Sequence, residues 1–243
     1  MDEFKFKTPK KVNTPRVILV ILSLCTIAVW FIPYGTYFLY PFVIFGTWVH
    51  ELSHGFASMI MGARFIKLEL FPNGSGVAYF AYHSLYLGRF GAALIAAAGP
   101  MGPAIAGATA IRCSKSAKSS KNFLRVFSII MLISLVLWVR PIFSITYAII
   151  VLIAVITFFV SRSKKVNVLT AYIQLIGLQC LISMLLSIDY LFTNTAQLAG
   201  NTQSTDTQVI ADNLFLPHWF WAVLIITAAI LIFFKSIKTI VRN

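Results

Sequence analysis

The chain reads as an all-α polytopic membrane protein, a bundle of six or seven transmembrane helices with a small β-hairpin after the second. Three observations predict this. First, 59% of the 243 residues are hydrophobic and only 11% are charged, and apolar runs near the length of a bilayer crossing recur along the chain. Second, the basic residues behind the net charge of +13 collect between those runs. Such juxtamembrane Lys and Arg point to contact with anionic lipid rather than nucleic acid. Third, the sequence changes period after the second run, from helical to alternating.

The elements follow in order. Residues 1–16 form a basic arm carrying Lys5, Lys7, Lys10, Lys11 and Arg16, expected on the cytoplasmic side. Val17 to Phe31 is the first span; it lacks a small-residue cleavage site and does not read as a removed signal. From there, 17–243 reads as one membrane-embedded domain. Pro33-Tyr34-Gly35 turns the chain into the second span, Tyr37 to Met61, which Gly62 stops. The hairpin is expected within 64–83, with Asn73-Gly74 at its turn. It serves either as a packed connection or as an edge for an unwound substrate strand.

Phe90 to Ile111 is rich in Gly and Ala and broken by Gly99-Pro100-Met101-Gly102-Pro103. It is either a kinked span or a re-entrant segment. Phe123 to Val139, Pro141 to Val160 and Val168 to Phe192 are further spans, separated by Arg140-Pro141 and by a loop with Arg162, Lys164 and Lys165. Residues 193–213 contain no Lys or Arg and read as an exterior loop; Leu214 to Phe234 is the last span, and Lys235, Lys238 and Arg242 put the C-terminus on the cytoplasmic side. The charge rule conflicts with itself at the basic loop Arg112 to Lys121. Counting from a cytoplasmic C-terminus puts that loop inside, and counting from a cytoplasmic N-terminus puts it outside unless Phe90 to Ile111 re-enters.

The chemistry sits in His50-Glu51-Leu52-Ser53-His54, an H-E-x-x-H. Residues four apart share a helix face, so both imidazoles can bind one zinc ion while Glu51 reaches a water beside it as general base. His54 lies about 25 Å of helix beyond Tyr37, well inside the span. Polar groups at that depth are costly unless paired or bound to metal. A chance motif making only interhelical hydrogen bonds is the competing reading. A third zinc ligand is sought among few carboxylates. Asp2 and Glu3 are on the arm, Glu69 is in the hairpin, and Asp206 and Asp212 are in the polar loop. Asp189 alone is embedded in an apolar run and is taken as the third ligand, with Asp206 second. His83 and His218 are expected near the interface without metal. Cys25, Cys113 and Cys180 form neither a disulfide framework nor a zinc knuckle.

These residues resemble the site-2 protease family of intramembrane zinc metalloproteases, in its small B-type branch. The embedded motif is followed by Asn73-Gly74-Ser75-Gly76-Val77, then Ala98-Gly99-Pro100, and the segment from Ser204-Thr205-Asp206 to Trp221 is similar to that branch's closing loop and last helix. The resemblance implies zinc on His50, His54 and a later Asp, with Glu51 as base. The family's Leu-Asp-Gly is replaced here by Ser187-Ile188-Asp189-Tyr190. The expected activity is zinc-dependent hydrolysis of peptide bonds in membrane-spanning or membrane-proximal segments of a membrane-protein substrate. The alternative is an inactive member that binds or chaperones such segments. A transporter fits less well, since charged residues are nearly lacking inside the spans and no internal repeat is visible.

Overall fold

A computed structural model of the chain describes residues 14–198 and 201–241. The basic arm 1–16 therefore lies outside the described residues except for its last three. Nine helices and five short strands follow one another as α1 (Thr14–Phe31), α2 (Gly35–Ile60), β1 (Arg64–Leu70), β2 (Gly76–Ala81), α3 (Gly88–Cys113), α4 (Ala117–Leu137), β3 (Val139–Arg140), α5 (Ile145–Ser161), α6 (Val166–Leu186), α7 (Ile188–Leu191), β4 (Thr195–Leu198), β5 (Asn201–Ser204), α8 (Asp206–Asn213) and α9 (His218–Val241) among the described residues.

The chain is mostly helical, and four helices are long and apolar enough to cross a membrane: α3, α4, α6 and α9. α1 and α5 are apolar but shorter. α2, expected as the second span, is not among the four, because His50, Glu51, Ser53 and His54 dilute its apolar character. Of the six or seven crossings expected, four helices among the described residues meet the length and hydropathy of a span. α9 has the highest mean hydropathy of the four, 2.3, yet only 22% of its apolar window is buried; Leu224, Leu231 and Phe234 point outward. An apolar face of that extent is suited to lipid rather than water.

α3 is one continuous helix through Pro100 and Pro103, which corrects the re-entrant alternative for Phe90 to Ile111. It runs antiparallel to α6: Gln174 donates to Ser114 Oγ at one end (3.1 Å), and Gly107 and Gly177 meet further along. A Cβ on Gly107 would lie 2.6 Å from the Gly177 carbonyl oxygen and 2.9 Å from Leu181. Two backbones approach that closely only where side chains are absent. α2 is antiparallel to α3, since Ser53 meets Gly102 and His54 bonds Ile95. It also packs on α6, with Gly46 against Ser183.

The hairpin forms as expected within 64–83, with Gly74 at φ 91° in its turn. α2 ends as expected at Gly62, whose φ of 85° is open to glycine and costly for other residues. The hairpin turn folds back along α2: Thr47 Oγ1 donates to Gly74 O (2.6 Å) and Tyr40 Oη to Pro72 O (2.8 Å). β3 pairs in parallel with β1, giving the strand order β2-β1-β3. The fold is therefore not purely helical, and β2 is left as the outer strand on the side away from β3. Beneath the sheet lies the main core, where Phe45 and Trp48 pack with Leu68, Met131 and Ile150, and Trp48 Nε1 donates to Ser134 Oγ (3.1 Å).

The run Val168 to Phe192 is not one span. α6 stops at Leu186, and α7 is a separate turn whose apolar residues serve a second core, Leu191 and Tyr190 packing with Ala93, Ile210 and Ala222. The loop 193–213 is structured, with β4 and β5 paired as a second hairpin ahead of α8. Gly107→Leu should lower stability by about 1–3 kcal/mol through overpacking at the α3–α6 crossing. Thermal unfolding in detergent checks this, and an unchanged midpoint would contradict the close approach.

Candidate metal centre and active site

α2 puts His50 and His54 on one face, and that face meets α3 where α3 has no side chain. A Cβ on Gly99 would collide with the His54 ring and lie 2.7 Å from His50 Nε2. The absence of that carbon makes the space in which the two imidazoles turn toward each other. Their Nε2 atoms are 3.1 Å apart. His54 Nδ1 donates to the Ile95 carbonyl oxygen at 2.8 Å, which fixes the tautomer and leaves Nε2 as the lone-pair nitrogen.

The third member is Asp206, the first residue of α8. Its Oδ2 is 3.1 Å from His50 Nε2 and its Oδ1 is 3.2 Å from His54 Nε2. The local sequence explains its position. Thr205 caps α8, accepting from Gln208 N, and Thr205 Oγ1 donates to Thr193 O (2.6 Å). Thr207 Oγ1 donates to Leu191 O (2.7 Å), and Asp206 N donates to Tyr190 Oη (3.3 Å). Thr205, Asp206 and Thr207 are thus each tied to α7 or to the residues just after it. Burial alone would push the Asp206 carboxyl up, but the two imidazoles outweigh it and hold the group below the usual carboxylate range. Burial, with the Asp206 and Glu51 carboxylates beside it, pushes the Tyr190 phenol upward, so it stays protonated.

These three side chains form the one group among the described residues whose His, Cys, Asp or Glu donors could hold a metal ion, with the donor atoms within 4.8 Å of one another. The fit to a divalent ion can be judged from the donors themselves. Ligands about 2.0–2.1 Å from a tetrahedral zinc lie about 3.3 Å from each other, close to the separations here. Asp206 Oδ2 is also fully buried and makes no hydrogen bond, despite its nearness to His50. A buried carboxylate oxygen without a hydrogen bond normally has a cation for a partner. The N2O donor set suits zinc.

Glu51 is buried beside the cluster, and the Ala78 backbone N–H bonds to its carboxylate. His50, Glu51, His54 and Asp206 all line a cavity of about 430 Å³. Its lining includes the outer strand β2 with the turn before it, Gly74 to Ala78, and also Gln203, Ser204 and Val209.

Asp189, the expected third ligand, is exposed on α7 and stands outside the cluster; Asp206, the second choice, stands in it. The reason is physical. Hydrophobicity around Asp189 reflects the packing of its neighbours Tyr190 and Leu191 in the second core, not membrane depth. The sequence holds a signal for Asp206, since Thr205-x-x-Gln208 has the spacing of a helix capping box. A box of that kind places the residue after the cap at the start of a helix. Gly99, Ile95 and Tyr190 are contributors that spacing alone does not single out. His83 is exposed, and His218 Nε2 contacts Phe192 O at 3.3 Å; neither is part of the cluster.

Two substitutions separate the candidate ligands. Asp206→Asn should lose zinc from the purified protein, whereas Asp189→Asn should keep it; metal analysis per chain reads both. Gly99→Ala should also lose metal while remaining folded, because its methyl group fills the space between the rings. The reverse pattern for the two Asp variants would reinstate Asp189.

The sequence also matches the family described as Peptidase M50B-like over residues 20–236. No curated protein and no solved structure matches the chain. The family match runs from α1 to α9 and spans the motif helix, both hairpins and the Asp206 helix. The chain therefore belongs to the Peptidase M50B-like family, within the site-2 proteases.

Proposed function

We propose that the protein is a zinc-dependent intramembrane endopeptidase in which His50, His54 and Asp206 hold the ion and Glu51 is the general base. The observation that carries this reading is the meeting of an H-E-x-x-H pair with a buried aspartate oxygen that has no hydrogen bond. Zinc, when bound there, supplies a Lewis acid that polarises a peptide carbonyl and makes a nearby water more acidic. The protein's own residues do the rest. Ile95 O orients His54 through Nδ1. Glu51, beside the cluster and open to the cavity, takes the proton of the attacking water and passes it to the leaving amine. The Ala78 N–H steadies the Glu51 carboxylate.

The substrate reading follows from the cavity walls. β2 pairs with β1 on one side only, and its Gly76, Val77, Ala78 and Phe80 line the cavity. An extended backbone laid there could pair with β2 and bring a peptide bond past Glu51. A helical segment offers no free backbone groups, so the substrate must be a membrane-spanning or membrane-proximal stretch that unwinds locally.

Glu51→Gln should keep about one zinc per chain while cleavage falls at least about a hundredfold, the usual size of a lost general base. Because the substrate is unidentified, the readout is terminal-peptide mass spectrometry of membranes holding wild type or variant. New protein termini should appear with wild type alone. Equal sets of termini, with zinc bound in both, would instead support a membrane-segment binder that has kept the metal.

A further inference from the structure

Amide hydrolysis places negative charge on the oxygen of the attacked carbonyl as water adds to the carbon, and donors fixed in advance around that oxygen lower the barrier. Among the described residues that line the cavity there is no Lys or Arg. A donor for that oxygen is therefore sought among neutral groups. Several of these are already spent. Thr47 Oγ1 donates to the Gly74 carbonyl oxygen (2.6 Å), Ser75 Oγ to Asn73 Oδ1 (2.7 Å) and Ser187 Oγ to the Ser183 carbonyl oxygen (3.0 Å). Asn213 Nδ2 donates to the Val209 carbonyl oxygen (2.8 Å).

Tyr190 differs from all of these. It lines the same cavity as His50, Glu51, His54 and Asp206. Its Oη accepts from Asp206 N at 3.3 Å, so the phenol oxygen stands one hydrogen bond from the backbone of a metal-site residue. A backbone N–H can only donate, so this bond uses a lone pair of the phenol and leaves its O–H unspent. Among the described residues no acceptor takes that proton. The Asp206 and Glu51 carboxylates are both near enough to act on the phenol electrostatically. Tyr82 and Ser204 also line the cavity, but both are exposed, and no side-chain hydrogen bond among the described residues ties either to the site.

The phenol is also held in place. Its ring packs in the second core with Leu191 and Ile210, and Thr193 Oγ1 donates to the Tyr190 carbonyl oxygen at 2.9 Å. A donor fixed before the reaction costs no reorganisation during it. Packing in that core would be served equally by a phenylalanine. The bond from Asp206 N gives a reason for an oxygen at this place, and the proton is left for the cavity.

We propose that Tyr190 is a further catalytic residue of this site, donating its phenolic hydrogen bond to the carbonyl oxygen of the scissile peptide as charge builds there. The proposal rests on the hydrolytic reading above. No proton leaves the phenol. Glu51 takes a proton from the water whose oxygen bonds to the carbonyl carbon, and the C=O electron pair moves onto the oxygen held by Tyr190. When that pair returns, the C–N bond breaks and Glu51 passes the proton to the departing amine.

Tyr190→Phe tests this, because it removes the hydroxyl and keeps the ring. Zinc-loaded protein in detergent is titrated calorimetrically with two probes. Azide binds a metal without needing a donor beside it. A blocked alanyl phosphinic dipeptide carries a tetrahedral P–O group in place of the attacked carbonyl. Wild type and variant should each hold about one zinc per chain and bind azide alike. The variant should bind the phosphinate at least about tenfold more weakly, and its new protein termini in membranes should form about a hundredfold more slowly, the size of one lost oxyanion donor. Equal phosphinate affinity with zinc retained would overturn the proposal, as would a wild type that does not bind the phosphinate. Loss of zinc, or an equal loss of azide and phosphinate affinity, would overturn it in favour of a phenol that only positions Asp206. If wild type makes no new termini while the phosphinate still discriminates between the two proteins, the hydrolytic reading fails and the donor stands. If both proteins cut alike, the donor fails and the hydrolytic reading stands.

Discussion

The contact on which this structure depends is the one between Asp206 and the two motif imidazoles. It joins parts of the chain that are remote in sequence: a helix near the N-terminus and the first turn of α8. Three polar side chains are buried together, and none could be left there alone without a large desolvation cost. Their mutual arrangement lets a single cation satisfy all of them. The consequence reaches well beyond the ligands. Holding Asp206 in place requires the Thr205 and Thr207 bonds to the exit of α7, and through them the second core. The loop 193–213 is folded because its aspartate has a destination.

That contact is possible only because other groups are missing. α3 comes against α2 at Gly99 and Gly102 and against α6 at Gly107, and a methyl group at any of these would strike a neighbour. Without water to drive helices together inside a bilayer, close backbone approach is the main source of helix association. The same run of small residues therefore packs the bundle and clears room for the imidazoles. This explains how α3 stays helical through Pro100 and Pro103: its neighbours on both sides hold it where the backbone bonds are lost.

Sequence made some of this legible and hid the rest for identifiable reasons. The His50 and His54 pairing needed only helical periodicity, a local property. The hairpin needed only turn chemistry at Asn73-Gly74, also local, and its boundaries came out within a few residues. β3 was invisible because two residues carry no pattern; they form a strand only because β1 offers an edge. Asp189 misled because apolar neighbours were read as membrane depth, when Tyr190 and Leu191 are apolar for the sake of a core outside the helical span. Asp206 had the opposite problem. Its polar surroundings suggested solvent, while Thr205 and Thr207 were in fact spending their hydroxyls on backbone carbonyls and bringing the carboxylate inward. α2 was read as an ordinary span because its flanks are apolar, while His50, Glu51, Ser53 and His54 keep it below the mean hydropathy of a span.

The two hairpins give the site its chemical asymmetry. β2 presents backbone groups to the cavity from a sheet anchored on the main core, and Ala78 in it bonds Glu51. β5 presents Gln203 and Ser204 from a two-stranded ribbon that rests on the second core through Thr205. Precision is needed most where a proton moves, because transfer demands hydrogen-bond distance between Glu51 and the water. The strand β2, paired with β1 and through it joined to β3, lines the cavity there. The small β4–β5 ribbon is joined to the start of α8 by the bond from Thr205 N to the Asn194 carbonyl oxygen.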